Sequence, residues 1–258
     1  MQKFYQRLQF YKMSNLENKK TYGLFANPFN NKLISELKRK GEDVLIFPPI
    51  QTEKVELTES AMNYLKNPAD FDWLIFTDVF AADYFIEALR ALGTDFFELD
   101  NLTICACGEA VADRLRFVQV HADVIPPRIT DEAIFSGISQ FVGGQFDGLR
   151  ILIISEKTSD FSFIEKLKAE KASIVELSIY KAEIEAEPSI IKLKTLLKGG
   201  AADEFIFSSP EDLLSLKFIA EEKDLTRLLS EIQVSAVSEI VYQTLQENGF
   251  RPLYFHYQ

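Results

Sequence analysis

The sequence repeats itself at a spacing of about 130 residues, and this constrains the fold more than any local pattern does. Asp72-Trp73-Leu74-Ile75-Phe76-Thr77-Asp78 returns as Asp203-Glu204-Phe205-Ile206-Phe207-Ser208-Ser209-Pro210. Each copy is a short apolar run that ends on hydroxyl or acidic side chains and enters a helical pattern, Ala81 to Leu89 in one and Glu211 to Ile219 in the other. Leu102 to Glu109 is answered by Ile232 to Glu239, and the following helices keep Val111 with Val241 and Leu115 with Leu245, an offset of 130 residues. Upstream, Leu33 to Val44 is answered by Phe163 to Ile174. Three blocks in one order at nearly one spacing mean two homologous halves.

Within each half, strands and helices alternate. Tyr22 to Ala26 is a strand, Asn27-Pro28-Phe29-Asn30 a turn with an Asn able to cap the helix Lys32 to Arg39, and Gly41 the stop before a strand Asp43 to Phe47. A helix Glu59 to Lys66, strands at Trp73 and Thr103, helices after Ala81 and over Glu109 to Arg116, and a short strand near Val120 to Val124 follow. Pro126-Pro127 then leads to a helix Ala133 to Phe141 with Thr130 or Asp131 as its N-cap. The second half reads as strands from Arg150, Ser173, Glu204 and Val234, helices over Phe163 to Glu170, Pro210 to Ala220, Leu225 to Ser230 and Glu239 to Glu247, and a last strand Leu253 to Tyr257. Continuous apolar strands such as Ile151-Leu152-Ile153-Ile154 imply parallel sheets covered on both faces. The fold class is α/β, with two flavodoxin-like parallel-sheet modules.

Composition narrows the function. A net charge of −11 leaves no basic stripe for nucleic acid. No apolar run reaches the roughly 18 residues of a membrane span, and Met1 to Lys20 lacks a signal-peptide core, so a cytoplasmic protein is expected. Residues 1–20 carry Lys3, Arg7, Lys12, Lys19 and Lys20 with Phe4, Tyr5, Phe10 and Tyr11, and read as a flexible leader in preference to a membrane-touching helix. Cys105 and Cys107 alternate on one strand and point the same way, as buried free thiols. With His121 and His256 the only histidines, no metal site is expected.

The order of motifs resembles the uroporphyrinogen-III synthase family. The residues that carry the resemblance are Gly41 and Pro48 around the second strand, Phe76-Thr77 with Ala81, and Ala106-Cys107-Gly108-Glu109-Ala110 with Ala112 and Leu115. Ala122-Asp123-Val124-Ile125-Pro126, Glu176 to Tyr180 and Phe207-Ser208-Ser209-Pro210 continue it over residues 21–258, as a succession of weak motifs.

The resemblance implies two flavodoxin-like domains joined by a two-stranded linker. Residues 52–175 would form one domain, 21–47 with 182–258 the other, and 48–51 with 176–181 the linker. It implies a cofactor-independent, monomeric lyase of tetrapyrrole (heme) biosynthesis that closes hydroxymethylbilane to uroporphyrinogen III, with loss of water and inversion of the terminal ring. The alternative is a catalytically silent protein of the same fold that binds a tetrapyrrole or another small anion. Ligands of doubly wound sheets sit at the carboxyl ends of the strands, which makes strand-end hydroxyls and helix-start amides the candidates. Tyr180 matches the family's linker tyrosine, able to protonate or hydrogen-bond the departing hydroxyl; the alternative is a tyrosine that packs at a domain joint. Ser209 matches a family serine and Ser208 precedes it, both open to a simple capping role. Gly108 would let substrate approach the backbone, and Thr77, Ser155, Lys157, Lys181 and Ser238 complete the set. The chain departs from the family at Asn27, where an arginine is usual, and at Asp78, where a serine is; Val111, Val241 and Ser238 also differ. An aspartate in a cleft for a polycarboxylate calls for a Lys or Arg beside it.

Overall fold

The computed structural model describes residues 19–183, 191, 195–220 and 225–256, so the expected leader falls almost entirely outside the described residues. The chain runs β1 (Thr21–Phe25), α1 (Asn30–Arg39), β2 (Asp43–Phe47), β3 (Gln51–Lys54), α2 (Glu59–Lys66), β4 (Trp73–Phe76), α3 (Val79–Leu92), β5 (Thr103–Ala106), α4 (Glu109–Arg116) and α5 (Asp131–Phe141). It continues through β6 (Arg150–Glu156), α6 (Ser162–Ala169), β7 (Ser173–Glu183), β8 (Glu204–Phe207), α7 (Pro210–Ala220), α8 (Leu225–Leu228), β9 (Gln233–Ala236), α9 (Glu239–Glu247) and β10 (Leu253–Tyr254).

Two five-stranded sheets result, ordered β2-β1-β8-β9-β10 and β3-β7-β6-β4-β5. The first is a fully parallel sheet in the doubly wound order. The second has the same order in its parallel part, β7-β6-β4-β5, and adds β3 antiparallel to β7, with Gln51 opposite Glu183 and Lys54 opposite Tyr180. The chain therefore passes between the sheets on two adjacent antiparallel strands.

The internal repeat is visible atom by atom. The Asp72 carboxylate accepts from the Arg150 amide at 2.8 Å, and the Asp203 carboxylate accepts from the Thr21 amide at 2.8 Å. Asp72 registers β6 against β4, and Asp203 registers β1 against β8. The outcome is an exchange: the strands that the first half supplies at its start, β1 and β2, pair with β8, whereas β6 and β7 complete the sheet of β4 and β5.

Strand alternation splits each sheet's apolar side chains between two faces. Leu74, Phe76, Leu152 and Ile154 pack with Phe85, Leu89 and Val111, and Trp73, Ile75, Ile151 and Ile153 pack with Ile138, Phe163 and Leu167. In the other sheet Phe25, Phe47, Phe205 and Phe207 face Leu213, Leu216 and Leu245, while Tyr22, Leu24 and Ile206 face Leu33 and Leu37. Cys105 and Cys107 lie in one of these cores as free thiols.

Some boundaries differ from the sequence reading. The strand expected over Val120 to Val124 shrinks to one bridge, Cys105 to Val124, because the Asp123 side chain takes the Ile104 amide and both the Asp123 and Val124 amides converge on the Ile104 carbonyl. α3 begins at Val79 and not near Ala81, since Asp78 is its N-cap and accepts from the Ala81 amide at 2.9 Å. In the turn before α1, Asn27 caps the Asn30 amide at 2.9 Å, but the N-cap position belongs to Phe29, which has no such acceptor. α8 ends at Leu228 and β10 at Tyr254; Tyr257 lies outside the described residues. Thr130 is the N-cap of α5.

Candidate functional site

The carboxyl ends of β4 and β5 face helices α7 and α9 of the other sheet, and a cavity of about 40 Å³ lies between them. Thr77, Asp78 and Gly108 line it from one side, Leu213, Lys217, Thr244 and Asn248 from the other. Ligand pockets typically enclose about 300–1,000 Å³, so the two faces are closed onto each other here.

Several contacts hold this closure. Arg114 on α4 pairs with Glu211 on α7 and lies 3.8 Å from Asp83 on α3. The Glu247 carboxylate on α9 accepts from the Glu109 amide at 3.0 Å, and the Glu247 carbonyl accepts from the Ile129 amide at 3.0 Å. Leu214 and Ile240 pack onto the core under α3 and α4. Gly108 has φ +111°, and a Cβ there would stand 2.8 Å from a Glu247 oxygen and from Ile129. The close backbone approach expected at Gly108 is made by the chain's own carboxylate.

A second cluster fills the switch point between β1 and β8. Asp212 accepts from the Ser208 amide and hydroxyl, each at 2.8 Å, and from the Ser209 amide at 3.2 Å. Asn27 donates to Ser208 Oγ at 3.0 Å and to Asp212 Oδ1 at 3.1 Å. The amides at the start of α7 therefore already hold an anion, which comes from the helix itself. Burial raises the Asp212 carboxyl above the usual carboxylate range, opposed by these donors.

The third cluster centres on Asp78. Its Oδ1 caps Ala81 and its Oδ2 accepts from Thr77 Oγ1 at 2.9 Å; Thr77 Oγ1 also reaches the Ile154 carbonyl at 3.1 Å. The Tyr180 hydroxyl hydrogen-bonds Asp78 as well. Tyr180 is 1% exposed, stacked on Tyr84 and packed against Phe80, and it does not itself line the cavity. Burial, then the Asp78 charge, push its phenol far above the ordinary tyrosine range. Burial likewise raises Asp78, against the hydrogen bonds it accepts. Across the cavity Lys217 is shifted the other way, downward, by burial, with the Asp78 charge opposing the shift. Here is the cation that Asp78 calls for.

The remaining sequence candidates lie elsewhere. Lys181 is tied on the strand pair to Glu53 at 3.0 Å and Glu183 at 2.7 Å. Lys157 is exposed and donates its amide to the Tyr180 carbonyl at 2.9 Å; Ser155 is buried beside Ser178 in the β6–β7 ladder. Ser238 is the N-cap of α9 and makes no side-chain cap bond. Lys217, Thr244, Asn248, Asp212 and Glu247 were not among the candidates. A signal for Lys217 existed: once Pro210 is set facing the cleft, positions 213, 214 and 217 follow on the same helical face.

The fold matches the crystal structure of the wild-type uroporphyrinogen III synthase of the extreme thermophile Thermus thermophilus, with a TM-score of 0.62 at 20% identity over 91% of each chain. A second Thermus thermophilus uroporphyrinogen III synthase structure aligns with a TM-score of 0.61 at 19% identity, covering 91% of this chain and 92% of that one. No curated protein matches the sequence. The sequence also matches the uroporphyrinogen-III synthase HemD family over residues 31–256, nearly the whole of both sheets, and on that match the chain belongs to the uroporphyrinogen-III synthase family.

Proposed function

We propose that this chain closes hydroxymethylbilane to uroporphyrinogen III, with inversion of the terminal ring and loss of water. The observation that carries the reading is the family match over residues 31–256. The sheets serve as two domains, 21–47 with 182–258 and 52–175, joined by the linker 48–51 and 176–181. The protein acts as a cytoplasmic monomer without a cofactor, since the pyrroles supply the electrons.

Its tasks are to fold the linear tetrapyrrole, to hold its carboxylates and to assist departure of the hydroxyl. Folding the chain brings two ends of one molecule into contact, and such orientation contributes several kcal/mol. Substrate enters by opening the closed cleft, since two strand crossings leave the halves free to hinge. Thr77 and Gly108, which line the cavity, then meet substrate at strand ends, Lys217 pairs with a carboxylate, and Ser208 and Ser209 are assigned to substrate at the neighbouring start of α7. Lys157, Lys181 and Ser238 are assigned to the outer parts of the opened cleft, whereas Ser155 stays within the β6–β7 ladder. The proton needed by the departing hydroxyl is held on the Tyr180 side of the cleft, where its phenol ends on Asp78.

The test is a coupled assay in which hydroxymethylbilane is generated in situ, the products are oxidised, and type I and type III uroporphyrin isomers are separated. A dominant type III product supports the reading. Type I alone, at the spontaneous rate, rejects it.

A further inference from the structure

We propose that the Asp78 carboxyl is the proton donor that expels the substrate's hydroxyl as water, and that Tyr180 is the positioning residue that holds it. This rests on the cyclase reading above.

The placement of the two groups separates their roles. Asp78 stands at the end of β4 and lines the cavity between the two sheets, whereas Tyr180 is enclosed behind it by Phe80 and Tyr84. A group entering the cleft meets the carboxyl first. Three donors fix that carboxyl: the Ala81 amide, the Thr77 hydroxyl and the Tyr180 phenol. Thr77 has a second acceptor in the Ile154 carbonyl, so protonation of Asp78 strands no donor there.

The charged and titratable groups that face Asp78 come from four elements. Tyr180 reaches it from β7, Asp83 stands further along α3, Cys107 lies at the end of β5, and Lys217 is on α7. Among the described residues Lys217 closes no ion pair or hydrogen bond, and its ammonium is the complement for a substrate carboxylate on the opposite wall. Burial raises Asp78, which favours the protonated carboxyl that the step needs.

In the step, the Asp78 O–H bond breaks and its proton passes to the hydroxyl oxygen. The carbon–oxygen bond breaks with its electrons leaving on water, and the pyrrole nitrogen lone pair forms the azafulvenium cation beside the new Asp78 carboxylate. After attack, fragmentation and reclosure, the ring carbon loses a proton as aromaticity returns, and Asp78 takes it back. One water leaves and no oxidant or reductant is used.

The experiment measures type III formation by the full chain across the pH range in which it stays folded, for the parent, Asp78→Asn, Asp78→Ser and Tyr180→Phe. Serine keeps a helix cap without an acidic proton. The parent's rate falls as pH rises and Asp78 ionises. Both Asp78 variants lose about 10²–10⁴-fold in kcat and lose that alkaline limb, with little change in KM. Tyr180→Phe removes a donor that favours the carboxylate, so its limb moves to higher pH. Parental kcat and limb in a folded Asp78 variant overturn the proposal. Should neither Asp78 variant fold, the Tyr180→Phe profile decides alone: a shifted limb supports the proposal, an unmoved one overturns it. A parent yielding only type I rejects the cyclase reading itself, and a parent yielding type III with unaffected variants rejects only the role of Asp78.

Discussion

The carboxylate of Glu247 reaches from α9 to the first amide of α4, accepting from Glu109 at 3.0 Å, while its second oxygen is buried without a partner. The contact joins the two sheets across the cleft at the cost of an incompletely solvated charge. Burial raises the Glu247 carboxyl, and the nearby Glu109 charge adds to the shift. A carboxyl raised in the folded state stabilises the fold fully below its unfolded pKa and loses that contribution as pH rises through the folded one. Glu247→Gln keeps an acceptor for Glu109 and removes the charge. Its melting temperature will match the parent at acidic pH and exceed it once the parent's Glu247 ionises. Parallel melting curves at all pH values would contradict this.

Asp212 carries a different load, because one carboxylate satisfies four donors from three residues, Asn27, Ser208 and Ser209. Asp212→Ala leaves the Ser208 and Ser209 amides without their acceptor, while Asn27 keeps Ser208 Oγ, and an unmet donor costs about 1–3 kcal/mol. Ser209→Ala removes a hydroxyl outside this network and stays within about 0.5 kcal/mol. Urea unfolding of both variants measures the contrast; equal losses would mean that the cluster is not what anchors α7.

The fold was readable because duplication doubles every weak signal. A strand such as Trp73 to Phe76 is ambiguous alone, yet its echo at Phe205 fixes both strands, and the paired aspartates Asp72 and Asp203 mark the same register bond twice. The site was less readable, since it forms where unlike segments meet. Thr77 and Gly108 follow from the rule that strand ends bind ligands, and both line the cavity. Glu247 and Lys217 lie far from them in sequence, on helices whose inward faces depend on how the sheets pack. Asp78 reads from sequence as a misplaced charge, and only the fold sets it between Tyr180 and Lys217.

The repeat also identifies two places where one half is strained and the other is not. Gly41 ends α1 with φ +86°, and its counterpart after α6 is Lys171 with φ +68°; Gly249 with φ +87° corresponds to Gln119 with φ +62°. A side chain in the left-handed region costs about 1 kcal/mol relative to glycine. Lys171→Gly and Gln119→Gly are each expected to stabilise the protein by about that amount, partly offset by the greater freedom of glycine in the unfolded chain. Chemical denaturation gives the answer, and loss of stability in both variants would refute the argument.

Gly23 makes the sharpest comparison between the halves. With Thr21 equivalent to Arg150 through their aspartate bonds, Gly23 corresponds to Leu152, and Phe205 corresponds to Leu74. One sheet thus packs two leucines where the other packs a glycine under a phenylalanine, so at this pair the ring alone fills the space above the glycine. A Cβ on Gly23 would lie 2.6 Å from the Phe205 ring, which is itself held against Phe25 and Phe47 at centroid distances of 5.7 and 5.3 Å. The ring cannot retreat without disturbing both neighbours, so Gly23→Ala is expected to cost about 1–3 kcal/mol. Phe205→Leu alone leaves a cavity and also destabilises. Leucine at 205 withdraws the ring atoms that a methyl on residue 23 would meet, so the double variant should be more stable than the sum of the single losses, by a coupling of about 0.5–3 kcal/mol. A double-mutant cycle by thermal and urea unfolding measures that coupling, and strict additivity would show that the two positions do not share one packing site.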